Sequence, residues 1–273
     1  MEIHSIAAVY FSATGTTKTV LERMARRAAD ALQVPHRTVD FTLPESRNSH
    51  TVFQPDELVL FGVPVYAGRI PNVLLPFVKS GFSGQRTPTV PIVLYGNRNY
   101  DDALIELRDV LQDNGFCTIA AGAFIGEHSF SRILAAGRPD AEDLCITDQL
   151  TDTVVERVKT MAEPPEEPIP VRGCSPIRPY YTPRDRAGNP VNILKVKPKT
   201  SEDCVLCGTC AAVCPMGSIR PEAPAEVAGI CIKCGACVKS CPAGAKYYDD
   251  ERYLYHQHEL EEGFARRAQP ECF

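Results

Sequence analysis

Eight of the chain's twelve cysteines fall into one pattern written twice. The first copy is Cys204, Cys207, Cys210 and Cys214, followed by Pro215. The second is Cys231, Cys234, Cys237 and Cys241, followed by Pro242. Both read C-x-x-C-x-x-C-x-x-x-C-P, and an offset of 27 residues turns one into the other. The same offset carries Gly208 onto Gly235 and Gly217 onto Gly244. Such a duplication suits a half-domain built twice to hold two iron–sulfur clusters. A cubane needs four thiolates converging from different directions. Three cysteines at this spacing wrap a tight loop around one cluster, and Gly208 and Gly235 relieve crowding there.

Disulfides would suit a secreted chain, but no secretory leader precedes the first strand-like segment. Zinc typically takes two C-x-x-C pairs. That explains neither the third closely spaced cysteine nor the C-P ending. Residues 200–249 resemble the two-[4Fe-4S] ferredoxins of bacterial type. The resemblance implies crossed ligation, with the fourth cysteine of each run serving the other cluster. One cluster would take Cys204, Cys207, Cys210 and Cys241, the other Cys231, Cys234, Cys237 and Cys214. Of the other thiols, Cys117 and Cys145 are expected to be buried small hydrophobes. Cys174 and Cys272 show no ligand spacing and receive no role.

At 273 residues, 44% of them hydrophobic, the chain is long enough for about two domains. No apolar run approaches the roughly 18 residues of a membrane span. A net charge of −5 argues against a nucleic-acid partner. Free thiols and clusters together lead us to expect a cytoplasmic setting.

Residues 1–163 alternate between strand-like and helix-like patterns. Strands are expected at 6–11, 37–41, 57–66, 89–95 and 117–125. Helices are expected at 17–33, 73–79, 101–114 and 141–161. The strands are apolar throughout, which means a parallel sheet covered on both faces. Five of them suit the flavodoxin-like order 2-1-3-4-5, whose ligands bind beyond the carboxyl ends of the strands. The expected fold is therefore α/β, a flavodoxin-like five-stranded parallel sheet. A proline-rich linker (164–198), a small α+β two-[4Fe-4S] ferredoxin domain (199–249) and a tail (250–273) follow.

Three loops should meet at that edge. Ser12, Ala13, Thr14, Gly15, Thr16 and Thr17 offer four hydroxyls, a glycine and a helix N-terminus, which suit a phosphate. The loop is neither a Walker motif nor G-x-G-x-x-G, which disfavours a dinucleotide. A plain capped helix would use the same residues. The loop resembles the S-x-T-G-x-T loop of flavodoxins, which binds the phosphate of FMN, although Ala13 replaces a frequent hydroxyl. By that resemblance Pro64, Tyr66, Ala67 and Gly68 would cover one side of the flavin, or Tyr66 would simply pack at a strand end. The Ala67–Gly68 peptide would reorient toward the ring, and Arg69 would add positive charge. Gly96, Asn97, Arg98, Asn99 and Tyr100 would form the second ring-contacting loop. Tyr100 is the expected stacking partner, and Asp101 and Asp102 are expected to cap the next helix.

The linker's many prolines make it extended and semi-rigid, either a docking strut or a spacer. The tail is expected to form a surface helix with His256 and His258 solvated. Flavodoxin followed by two-cluster ferredoxin resembles a bacterial family of fused electron-transfer proteins found largely in anaerobes. Residues 95–104 and 127–131 carry that likeness. His128 would face the flavin, face the ferredoxin domain or, as we favour, anchor its loop. The resemblance implies FMN and two [4Fe-4S] clusters exchanging electrons with a redox protein, donor or acceptor. The alternative is a flavin reductase of a quinone, nitro or azo compound, fed through the ferredoxin half. A redox sensor without turnover has no supporting module, and a nicotinamide enzyme lacks its phosphate loop. The motif count predicts about eight irons and about one FMN per chain. Iron, sulfide and flavin analysis of the purified protein checks this, and about four irons would refute paired clusters.

Overall fold

The computed structural model describes residues 1–273. Five parallel strands form the N-terminal sheet: β1 (Ser5–Tyr10), β2 (His36–Asp40), β3 (Glu57–Pro64), β4 (Thr87–Tyr95) and β5 (Gly122–Ile125). Their order is β2-β1-β3-β4-β5, the flavodoxin-like order expected from the alternation. All of β4, and all but the last residue of β3, are buried, because helices cover both faces. One core lies beneath α1 (Thr16–Leu32) and α4 (Ala141–Thr160), the other beneath α2 (Leu75–Ser80) and α3 (Ala103–Asp113). Helix α1 buries the stripe Val20, Leu21, Met24, Ala25 and Ala28 at helical spacing. It lies so near the sheet that a Cβ on Gly62 would fall 2.5 Å from Leu21.

The expected fifth strand is interrupted. Phe116–Thr118 pairs with the start of β4, and β5 resumes at Gly122. At the break the Ala121 N–H and C=O bond to Phe273, at the far end of the chain.

The cysteine-rich segment is small. Helices α5 (Thr209–Ala212) and α6 (Ala236–Lys239) follow Gly208 and Gly235, whose φ values of 75° and 74° repeat one geometry in both copies. A hairpin of β6 (Ile219–Arg220) and β7 (Ala223–Val227), with Lys199–Thr200 pairing Lys246–Tyr247, completes it. Its own buried apolar cluster is just Cys210, Ile219 and Cys237.

The proline-rich segment is docked onto the N-terminal half. Arg178 binds the buried Asp102, Tyr180 Oη donates to Ile70 O, and Tyr181 N donates to Ala67 O. Val191, Ile193 and Val196 then pack on Tyr253. The tail also departs from expectation. Helix α7 (Glu251–Gly263) buries Tyr253, His256 and Leu260, and only His258 is exposed as expected of both histidines. Strand β8 (Glu271–Cys272) then adds antiparallel to β5. No helix is long and apolar enough to cross a membrane.

Asn97 clasps this return. Its Nδ2 donates to Phe264 O (2.6 Å) and Arg266 O (2.7 Å), and its Oδ1 accepts from Ala268 N (3.2 Å). Asn97→Ala leaves the buried Ala268 N–H and two partly buried carbonyls unmatched and should cost about 1–3 kcal/mol. Chemical unfolding would read the loss, and amide exchange should speed up across 264–273. Unchanged exchange there would show that β8 holds the tail without the clasp.

Candidate functional site

The first loop lies where a parallel sheet presents its ligand-binding edge. Helix α1 starts at Gly15, whose φ of 88° a side chain would strain, and no side chain caps it. The Ser12 hydroxyl accepts instead from Lys18 N at 3.0 Å, one turn further on. The first amides of α1 therefore face a polar recess lined by Ala13, Thr14, Gly15 and Thr16 and edged by Arg132, Arg138 and Lys239. Uncapped amides, a helix dipole and nearby cations together suit a dianion.

A small neck between Thr16, Thr17, Pro64, Tyr66, Gly96 and Ser129 adjoins the recess, sharing Ala13, Thr14 and Thr16 with it. The neck in turn shares Tyr66, Gly96, His128 and Ser129 with a chamber of about 690 Å³. Tyr66, Ala67 and Gly68 from the loop after β3, and Gly96, Arg98 and Asn99 from the loop after β4, line the chamber. The recess is polar, and about half of the residues lining the chamber are hydrophobic.

Several expected contacts are absent. Tyr100 does not reach the chamber. It is fully buried in the core 5.5 Å from Tyr95, under the Arg172 guanidinium, and its hydroxyl donates to Glu271 (2.6 Å). Asn97 holds the tail rather than a ligand. Arg69 turns away to Glu106, Arg178 O and the Tyr180 ring. The Ala67–Gly68 peptide is not free to reorient, because Ala67 O accepts from Tyr181 N at 2.8 Å. Asp101 and Asp102 do not cap α3. Asp101 pairs with Arg98, and Asp102 accepts from Arg178 and Cys174 N, with Arg178 holding its carboxyl down to about 2. Cys117 is buried as expected, but Cys145 is exposed on α4.

Sequence reasoning missed half the chamber. Tyr181 and Ile193 come from the linker, Lys233 from the second cysteine run, and His256 and Leu260 from α7. None carries a local signal, since each arrives by long-range folding. His128 does more than anchor its loop. Its ring fills the space a Gly96 side chain would need, its Nδ1 accepts from Phe130 N (3.1 Å), and it lines both neck and chamber.

The cysteines separate into two quartets. Cys204, Cys207, Cys210 and Cys241 line one small cavity, and Cys214, Cys231, Cys234 and Cys237 line another. No three Cys, His, Asp or Glu side chains converge as tightly as a single ion requires. Four thiols spread around a volume suit a cubane. Burial pushes the Cys234 and Cys237 thiols up to about 12, so thiolates there need a cationic core. Cys231 also lines the flavin chamber. Cys234 and Cys231 lie near enough to Tyr66 to add to the burial that raises its phenol. The first quartet faces outward, with Cys207 exposed and Val205 and Leu206 bare beside it.

A family described as a 4Fe-4S dicluster domain matches residues 197–242. No curated protein matches the chain. Among solved structures, a flavodoxin from the domain Archaea is 17% identical with a TM-score of 0.40, over 57% of this chain and 99% of that one. Two-electron reduced Megasphaera elsdenii flavodoxin is 15% identical at 0.38, over 55% and 98%. The rubredoxin oxygen:oxidoreductase of Desulfovibrio gigas is 14% identical at 0.38, over 58% and 37%. The chain thus joins a flavodoxin-like α/β domain, defined by its own sheet order, to a 4Fe-4S dicluster domain.

Burial pushes the His128 imidazole down to about 3 and His256 to about 4, with Lys239 and Arg98, respectively, the largest charge contributions. Both are neutral in the folded chain, while the unfolded chain takes up their protons near pH 6.5. Their contribution is therefore intact above pH 6.5 and lost as pH falls toward 4, at up to about 1.4 kcal/mol per pH unit per histidine. Denaturation midpoints from pH 7 to pH 4.5 should fall less steeply for His256→Gln than for the parent chain. Parallel curves would remove His256 from the account.

Proposed function

We propose that the chain is an electron-transfer flavo-iron–sulfur protein. It holds one FMN along the recess, neck and chamber, and two [4Fe-4S] clusters in the two quartets. Cys204, Cys207, Cys210 and Cys241 hold the outer cluster, and Cys214, Cys231, Cys234 and Cys237 the inner one. The observation that carries this reading is that Cys231 and its neighbours Ile230, Ile232 and Lys233 line the same chamber as the flavin loops. One wall thus serves both redox centres.

Bound FMN exchanges electrons singly or in pairs, and each cluster exchanges them singly. The residues around it set the path. Tyr66 lines the chamber close to Cys231 and Cys234, and so stands beside the crossing. The outer quartet, bordered by Val205 and Leu206, is where a soluble redox protein reaches the chain.

A second reading rests on the size of the chamber. Its 690 Å³, lined also by Asn192, Tyr181 and His256, leaves room for a small planar acceptor such as a quinone, nitro or azo compound.

Rapid mixing of the loaded protein with a one-electron reductant should reduce the clusters first and the flavin second. The second step should not depend on protein concentration. Cys207→Ser should slow entry, and Tyr66→Leu should slow the second step alone. Clusters and flavin that do not exchange electrons within one chain would refute the circuit. Reoxidation that speeds up with acceptor concentration would favour the second reading.

A further inference from the structure

The flavin site is not closed by the N-terminal half alone, and the segment that closes it has almost no core of its own. In the cysteine-rich segment the buried apolar cluster is Cys210, Ile219 and Cys237, two of them in the quartets. Helices α5 and α6 span four residues each, far too short to persist unsupported. Segments of this size and composition fold around their metal. With clusters in place the segment is a wall. Without them it has little reason to keep its shape.

That wall touches the flavin site at both ends. At the ring end Ile230, Cys231, Ile232 and Lys233 line the chamber. The buried Lys233 Nζ donates to Leu194 O (2.8 Å) and so fixes the adjoining linker wall. At the phosphate end Lys239, the last residue of α6, inserts into the loop after β5. Its Nζ donates to Glu127 Oε1 (2.5 Å), His128 O (2.7 Å) and Ser131 O (3.0 Å). Lys239 faces the same recess as Thr14, Gly15 and Thr16. Arg132, an exposed cation there, donates to Val238 O (3.1 Å) and so depends on α6 as well. The two surfaces fit closely, since a Cβ on Gly235 would lie 2.4 Å from Ser129 O.

We propose that flavin retention is gated by the iron–sulfur clusters. The cluster-loaded segment forms part of the flavin site, and cluster loss releases the flavin. This rests on the FMN and cluster assignment proposed above. Binding linkage makes the coupling reciprocal, so bound flavin also holds the dicluster segment in place. A chain that loses its clusters through oxidation or iron shortage then sheds its flavin rather than leaving it exposed without a wire.

Quenching of free-flavin fluorescence gives the Kd for FMN on the full chain, first with clusters intact and then after stripping by ferricyanide and EDTA. The Kd should rise about 5- to 150-fold on stripping, the range of ordinary site coupling. It should recover when iron and sulfide rebuild the clusters. Lys239→Gln keeps all eight cysteines and should keep its iron, yet should also bind FMN more weakly. That variant decides the matter if stripping unfolds the whole chain. A Kd unchanged by stripping, or by Lys239→Gln with full iron, overturns the gating. Failure of the cluster-loaded chain to bind FMN at all would instead overturn the flavin assignment.

Discussion

A sheet of parallel, doubly covered strands leaves its carboxyl edge as the place where loops gather, and the linker, the cysteine-rich segment and α7 all pack there. The linker binds Asp102, Ile70 and Ala67. The cysteine-rich segment inserts Lys239 beside His128. Helix α7 closes the far wall, and the last residues return to the sheet through Asn97 and β5. The flavodoxin-like half is therefore clasped by residues far along the chain, from Arg178 on Asp102, 76 positions apart, to Asn97 on Phe264, 167 apart.

The wrapping changes the chemistry available to the flavin loops. A mobile peptide after β3 was a natural expectation for Ala67–Gly68, but Tyr181 N holds the Ala67 carbonyl. An aromatic stack from Tyr100 was another, but its hydroxyl is held by Glu271 from β8 and its ring lies in the core. In both cases the linker or tail captured a group that the N-terminal half alone would have left free. Two neutral histidines and the linker's Tyr181 stand instead around an enclosed, largely apolar chamber.

The asymmetry between the cysteine quartets follows from the same packing. The two copies share their cysteine spacing and the turns at Gly208 and Gly235. Both meet the N-terminal half, the first where Arg47 donates to Pro215 O, but only the second reaches the chamber, and Gly235 allows its close approach to Ser129. The first stays at the surface with Val205 and Leu206. An internal duplication thereby acquires an inner and an outer end.

By itself the sequence determined what depends on spacing and periodicity. The sheet order, the phosphate loop at Ser12–Thr17, the two cysteine runs and most residues of the flavin loops were legible, because each is a local pattern of backbone geometry or ligand chemistry. Only the tertiary structure decided what lies across the chamber. Lys233, Lys239, His256 and the returning strand β8 carry no periodic signal, and their roles come from contacts at long sequence separation. The tail looked like a solvated helix because its apolar residues are few. It is buried because α7 supplies Tyr253, His256 and Leu260 to surfaces that other segments had already built. The cysteine pattern announces two clusters. Which of them sits against the flavin, and how far the flavin depends on it, are decided where Lys239 meets the loop after β5.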